Sequence, residues 1–188
     1  DKGYLAQAIL SPQVLQEGVV YVEVLEAKLG SVIIEFEKNR IRFNTDFVSA
    51  YITEINRIAE PLNIDRISRS LTLLNEVPGL NAQSLLEAGD RQGDTNLRVT
   101  LDATNRLMAR AETNNFGSRS TGQEQGLASA SVNNISGYGD QALVNGIYSQ
   151  GSQYTQGSYN FPLGARGLRA NLSGSVLNYT NIGDYETN

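Results

Sequence analysis

The chain has 188 residues, with 15 Lys and Arg against 20 Asp and Glu for a net charge of −5, and it contains neither Cys nor His. Its length suits one or two domains with a sizeable core. The missing imidazole and thiol exclude zinc-finger and thiol chemistry and the usual general base of hydrolases, and the acidic balance leaves no footprint for nucleic acid. The acidic excess is confined to residues 1–104; beyond them the charges balance, and two thirds of the 18 glycines lie there. An ordinary charged module is therefore expected in front and a sparsely charged, Gly-rich β region behind. No stretch approaches the roughly 20 apolar residues of a membrane helix. The start, Asp1-Lys2-Gly3, carries no initiator Met and opens no signal-peptide core, which reads as part of something longer.

Gly3 to Leu10 alternates weakly and stops at Ser11-Pro12, as a strand does, and Gly18 to Glu26 and Leu29 to Glu35 are β-branched runs. So little separates the last two that one long strand passing between two modules is expected. Asn44 and Thr45 then cap a helix on which Phe47, Tyr51, Ile55 and Ile58 recur at helical spacing, widened by Val48 and Ile52, with Pro61 ending it. Asn63 caps a second helix bearing Ile64, Ile67, Leu71 and Leu74 on one face, closed by Pro78-Gly79. Strands over Leu80 to Leu86 and Asn96 to Ala103 follow, around a turn at Glu87–Gly93. The order from Ala27 to Thr104 is β-α-α-β-β.

From Arg106 onward only strand signals remain. Leu107, Ala109 and Ala111 oppose Met108, Arg110 and Glu112; Ala128, Ala130 and Val132 oppose Ser129, Ser131 and Asn133. Gln141 to Tyr148 and Tyr154 to Phe161 come next, and Leu168, Ala170, Leu172 and Val176 stand against Arg169, Asn171, Ser173 and Ser175. The connections should alternate in length: long at 116–126, tight at Gly137-Tyr-Gly-Asp140, Ser/Gln-rich at 149–153, tight at Pro162–Gly167. Strands of about ten residues in that rhythm fit a transmembrane β-barrel, with Tyr159 and Phe161 placed for an aromatic girdle, although a soluble sandwich alternates equally well.

The motifs Leu74-Asn-Glu-Val-Pro-Gly79, Gly93-Asp-Thr-Asn-Leu97, Asn115-Phe-Gly-Ser-Arg-Ser-Thr-Gly122, Gly137-Tyr-Gly-Asp140 and Phe161-Pro-Leu-Gly164, in this order and spacing, resemble the outer-membrane transporters of two-partner secretion, the hemolysin-activator type. The resemblance implies three parts: 1–26 as the closing hairpin of a first POTRA domain, 27–104 as a second POTRA domain, and 105–188 as the first antiparallel strands of a truncated transmembrane β-barrel. Most of the family's sixteen strands, its plug helix and its Val-Arg-Gly-Tyr loop lie outside 1–188, and Leu25-Glu-Ala-Lys-Leu29 stands where the family usually has a Glu-Gly step.

The resemblance also implies a partner, an unfolded secreted exoprotein (its TPS domain), taken up by the POTRA part in the periplasm and exported through the barrel, whose outer face meets outer-membrane lipid. An exposed sheet edge can template an extended chain whatever its side chains, with specificity left to a flanking groove. By likeness to other POTRA modules the edge is Leu80, Asn81, Ala82, Gln83, Ser84 and Leu85, and the groove wall is Val48, Tyr51, Ile52 and Ile55 of the first helix. The plainer reading of that stripe is core. Arg110, Arg169, Asn171 and Ser173 are expected to face the lumen and Leu172 the lipid. Asp90 and Asp94 flank a Gly turn that faintly suggests calcium, but a solvated hairpin is the plainer reading, and Glu23/Glu26 and Glu35/Glu37 lack the pocket or partner base of an acid/base pair, so neither an enzyme nor a metal or cofactor is expected. The alternatives are an Omp85-type factor that assembles other barrel proteins and a soluble β-rich adhesin or binding domain. The second would need large apolar residues after 105, where the inward positions run to Ala, Gly and Ser.

Overall fold

The computed structural model describes residues 3–13, 19–37 and 43–183. The chain divides into two compact units, residues 1–103 and 104–188.

Unit 1 begins with two short antiparallel strands, β1 (Ala6–Ile9) and β2 (Glu23–Glu26). They cover less than the runs around them: Val19, Val20, Tyr21 and Val22 are exposed and outside β2, and Gly18 lies outside the described residues. Only Ala27 separates β2 from β3 (Lys28–Phe36). Its N–H donates to the Leu5 carbonyl at 2.9 Å and its carbonyl accepts from the Leu62 N–H at 2.7 Å. The chain then forms α1 (Thr45–Thr53), α2 (Ile64–Asn75), β4 (Leu80–Ala88) and β5 (Asp94–Ala103). The three strands form one sheet in the order β3-β5-β4, with β3 parallel and β4 antiparallel to the central β5.

Asparagines start both helices. Asn44 Oδ1 accepts the Phe47 N–H and Asn63 Oδ1 accepts the Arg66 N–H, each at 3.1 Å, filling an N–H that the first turn leaves open. Asp46 and Asp65 add negative charge where the helix dipole favours it. The first helix is shorter than its apolar periodicity predicts. It ends at Thr53, and Ile58 is exposed. Beyond Asn56 the chain turns back through Ala59 at φ 65° and bonds to β3: Ala59 N–H donates to Leu29 and Leu29 N–H to Glu60. A tertiary pairing thus overrides the helical pattern.

The core lies between one face of the sheet and the helices. Leu97, Val99 and Leu101 alternate inward along β5 and are fully buried with Val48, Tyr51, Ile52, Leu74 and Val77. A side chain of this size stabilises by about 1.5–3 kcal/mol on burial. One polar pair joins the helices inside: Asn56 Nδ2 donates to Ser70 Oγ at 2.9 Å and to the Ile52 carbonyl. On the opposite face Arg98 of β5 bridges the neighbouring strands, meeting Glu87 of β4 at 2.8 and 3.0 Å and Glu35 of β3.

Unit 2 is an antiparallel meander of β6 (Leu107–Asn114), β7 (Gln125–Asn133), β8 (Gln141–Ser149), β9 (Ser152–Pro162) and β10 (Arg169–Tyr179), each paired with the next. The sheet is open, with β6 and β10 at its edges. The registers place Leu107 opposite Val132, Ala109 opposite Ala130, Val132 opposite Ala142, Ala142 opposite Tyr159 and Tyr159 opposite Leu172, so one face carries a continuous apolar row across all five strands. The other face is mixed: Arg110, Ser129, Asn145, Gln156 and Ser175 form one cross-strand row and Asn160 and Asn171 part of another, while Leu127, Ile147, Tyr154 and Leu177 form an apolar row from β7 to β10.

The expected alternation of long and short connections fails at one point: the Ser/Gln-rich stretch is a two-residue turn, Gln150-Gly151, the tightest of the four. The long 115–124 connection lies as a strap across that end of the sheet. The Thr121 carbonyl accepts the Gly151 N–H at 2.7 Å and Ser149 Oγ–H at 2.8 Å; the Ser120 carbonyl accepts the Ile182 N–H at 2.8 Å. A Cβ at Gly151 would press on the Thr180 carbonyl oxygen, just past β10, and would come to 3.2 Å from Thr121 Cα in the strap, so glycine lets both segments lie against the turn.

Candidate functional site: the free edge of the three-stranded sheet

β4 is an outer strand of its sheet, and its backbone shows which groups are free. In an antiparallel ladder alternate residues turn their N–H and C=O toward the partner and away from it. Ala82 turns away from β5: its N–H donates to Asn75 Oδ1 at 2.7 Å, and its carbonyl accepts from Asn75 Nδ2 at 3.0 Å. Leu80 also turns away, its N–H donating to the Val77 carbonyl at 3.1 Å. By the same alternation Ser84, Leu86 and Ala88 point outward. Among the described residues nothing bonds to their backbone groups on that side.

The edge segment thus has two halves. Leu80 and Ala82 are buried and engaged by the α2–β4 connection, whereas Asn81, Gln83, Ser84 and Leu85 are exposed, Leu85 at 59%. The helix packed beside β4 is α2. Since Asn75 reaches Ala82, the stripe sharing its side of α2 is Leu71, Ser68 and Ile64. Leu71 is half-buried and Ile64 is 36% exposed, so the wall beside the free edge is apolar and accessible. Of the residues expected on α1, Val48, Tyr51 and Ile52 are at most 1% exposed and Ile55 is half-buried. The first three fill the core. A regular apolar stripe does not distinguish core from groove, and the α2 wall and Asn75 were missed for that reason. The available clue was an asparagine just ahead of Pro78-Gly79, where the chain reverses into a strand.

The turn between β7 and β8 is built around Asp140, which is 1% exposed. Its carboxylate accepts Ser136 N–H at 2.9 Å, Ser136 Oγ–H at 2.7 Å and the Tyr159 hydroxyl at 2.5 Å. Burial pushes the Asp140 carboxyl up, but the hydrogen bonds from Tyr159 and Ser136 outweigh it and hold it below its ordinary value. Arg169 donates to Asn160 Oδ1 and to the Gly139 carbonyl, both at 2.9 Å, tying the next hairpin to the same turn. In unit 1, the hydrogen bonds from Arg98 hold Glu87 below the usual carboxylate value. Asp90 and Asp94 join no metal-binding group, and none occurs among the described residues.

An α+β unit in which β4 leaves part of its edge open, followed by an antiparallel meander whose strands alternate side chains between two faces, defines a mostly β protein. The chain belongs to the haemolysin secretion/activation protein ShlB/FhaC/HecB family, whose profile matches residues 93–188. It is 25% identical over 190 residues to the heme/hemopexin transporter protein HuxB of Haemophilus influenzae (strain 86-028NP), covering all of this chain and 33% of that protein. It is also 25% identical over 189 residues to the outer membrane transporter CdiB of Dickeya dadantii (strain 3937), covering 97% of this chain and 32% of that protein. Among solved structures, CdiB from Escherichia coli superimposes with a TM-score of 0.65 at 20% identity, over 94% of this chain and 36% of that one. The chain spans about a third of the length of the curated relatives it matches. The family is one of secretion proteins, not an enzyme class.

Proposed function

We propose that this chain is the receiving module and the first wall strands of an outer-membrane transporter in two-partner secretion. Residues 1–26 end a first POTRA domain, 27–104 form a second one in the periplasm, and 105–188 begin a β-barrel that closes only with strands outside 1–188. The cargo is an unfolded exoprotein, which pairs its backbone with the outward groups of β4 and lays alternate side chains against α2. The barrel strands turn Leu172 and its row to lipid and Arg110, Asn171 and Ser173 to the lumen.

The observation that carries the reading is the free run of backbone groups at Ser84, Leu86 and Ala88 beside an accessible apolar helix face. Backbone pairing accepts varied sequence, as a passage for unfolded chain requires, and family membership supplies the context of secretion. The reading is tested by amide NMR of the chain in detergent, titrated with the unfolded N-terminal TPS segment of its exoprotein. Shifts are expected on 83–88 and on Ile64, Ser68 and Leu71. No shifts at high excess of that segment would remove β4 as the capture edge.

A further inference from the structure

The capture edge has a built end. The amide of Asn75 presents one acceptor and one donor to Ala82 in the arrangement that one residue of a neighbouring strand would present, at 2.7 and 3.0 Å. One step earlier Val77 takes the Leu80 N–H. Both backbone groups of Ala82 and the N–H of Leu80 are therefore engaged from within the chain, and the next three outward positions are not. Asn75 is the last residue of α2, and Val77 lies in the short connection to β4, so the stop stands where the groove between α2 and β4 closes.

We propose that Asn75 terminates the capture edge and sets the register at which an extended polypeptide joins β4. The inference rests on the reading of β4 as that edge. An incoming strand that competes for Ala82 must displace two hydrogen bonds to make two, a neutral exchange, whereas at Ser84, Leu86 and Ala88 it satisfies groups that only water can reach. Pairing is therefore confined to 84–88. The fitting ligand is short, with apolar side chains at every second position to meet Leu71 and Ile64 and small polar ones between. Asn75 discriminates by position along the groove and needs no contact with the ligand's side chains.

The chain has no cysteine, so a single one can be placed on the outer face of β4, where Asn81 and Leu85 are both exposed. The probe is a synthetic peptide of alternating serine and valine flanked by lysines, with one cysteine walked along its serine positions. Disulfides form only where Cβ atoms approach to about 4 Å, so crosslinking reads register directly. In the whole chain in detergent, Leu85→Cys is expected to crosslink and Asn81→Cys is not. Adding Asn75→Ala brings Asn81→Cys into crosslinking and tightens the peptide roughly tenfold, the worth of two exposed hydrogen bonds gained. Asn75→Ser, which keeps one of the two bonds, moves the limit part of the way and guards against a variant that fails to fold. Efficient crosslinking of Asn81→Cys with Asn75 intact, or a pattern unchanged in both variants, overturns the terminator and leaves capture at β4 standing. No crosslinking at any position overturns both.

Discussion

Leu172→Arg tests the facing of the meander most sharply, because Ser173→Arg beside it is its control. Leu172 stands opposite Tyr159 on one face of the sheet, and Ser173 stands opposite Ser158 on the other. β10 has 11 residues; in the proposed barrel, at a rise of about 3.4 Å and a tilt of about 40°, such a strand would span about 28 Å along the membrane normal, close to the hydrocarbon thickness. Leu172 lies two residues from the central Gly174, about 5 Å from the midplane on the same arithmetic. An arginine there costs a little less than the midplane value of about 2–4 kcal/mol, so about 2 kcal/mol, or roughly thirtyfold in the folding equilibrium. At Ser173 the guanidinium faces water and the cost falls within about 0.5 kcal/mol. The assay is urea titration of the complete transporter in lipid vesicles, followed by the gel shift of the folded barrel. If Ser173→Arg proves as costly as Leu172→Arg, the assignment of faces is wrong.

Other perturbations address the turn, the ion bridge and the core. Asp140 has a depressed pKa, so its stabilising effect is full above its ordinary value of 3.8 and is lost as pH falls through the lower folded value; an acid melt of Asp140→Asn should lack that component. Tyr159→Phe removes one donor to the carboxylate and is expected to lower stability by about 2 kcal/mol in the same urea titration. In Arg98→Ala the Glu87 carboxyl should titrate at higher pH than in the parent, because the hydrogen bonds that lower its pKa are gone, as read from side-chain carbon shifts by NMR. Leu74→Ala, at a fully buried position, should cost unit 1 about 3–5 kcal/mol, seen as an earlier loss of helical circular dichroism in denaturant.

Much of this architecture is legible in single residues. Asn44 and Asn63 mark the helix starts, because an amide oxygen there has a defined N–H to accept. The alternation of Leu and Ala against Arg, Asn and Ser in β6, β7 and β10 separates two sides of each strand as the registers do, whereas Leu127, Ile147, Tyr154 and Leu177 share the face of Arg110. What sequence could not supply depends on a partner far along the chain. The end of α1 depends on Leu29 meeting Ala59 and Glu60, and the tight turn at Gly151 depends on Thr121 arriving from another hairpin. The same holds at the candidate site. The stripe Val48-Tyr51-Ile52 reads as apolar helix face whether it meets a sheet or a groove. Asn75 reads as an ordinary helix-end residue until Ala82 is seen beside it.

The strap across one end of the meander bears on the order of events in assembly. β6 to β10 can form hairpin by hairpin, each from neighbours in sequence, and such local pairings come early. The hydrogen bond from Gly151 to Thr121 needs β7 and β8 in register, and the one from Ile182 to Ser120 needs every ladder from β7 to β10. A slip of one residue in any ladder would move a donor by about 3.4 Å and put every following side chain on the wrong face. The strap's hydrogen bonds therefore fit an aligned run of strands from β7 to β10 and would be lost on a misaligned one.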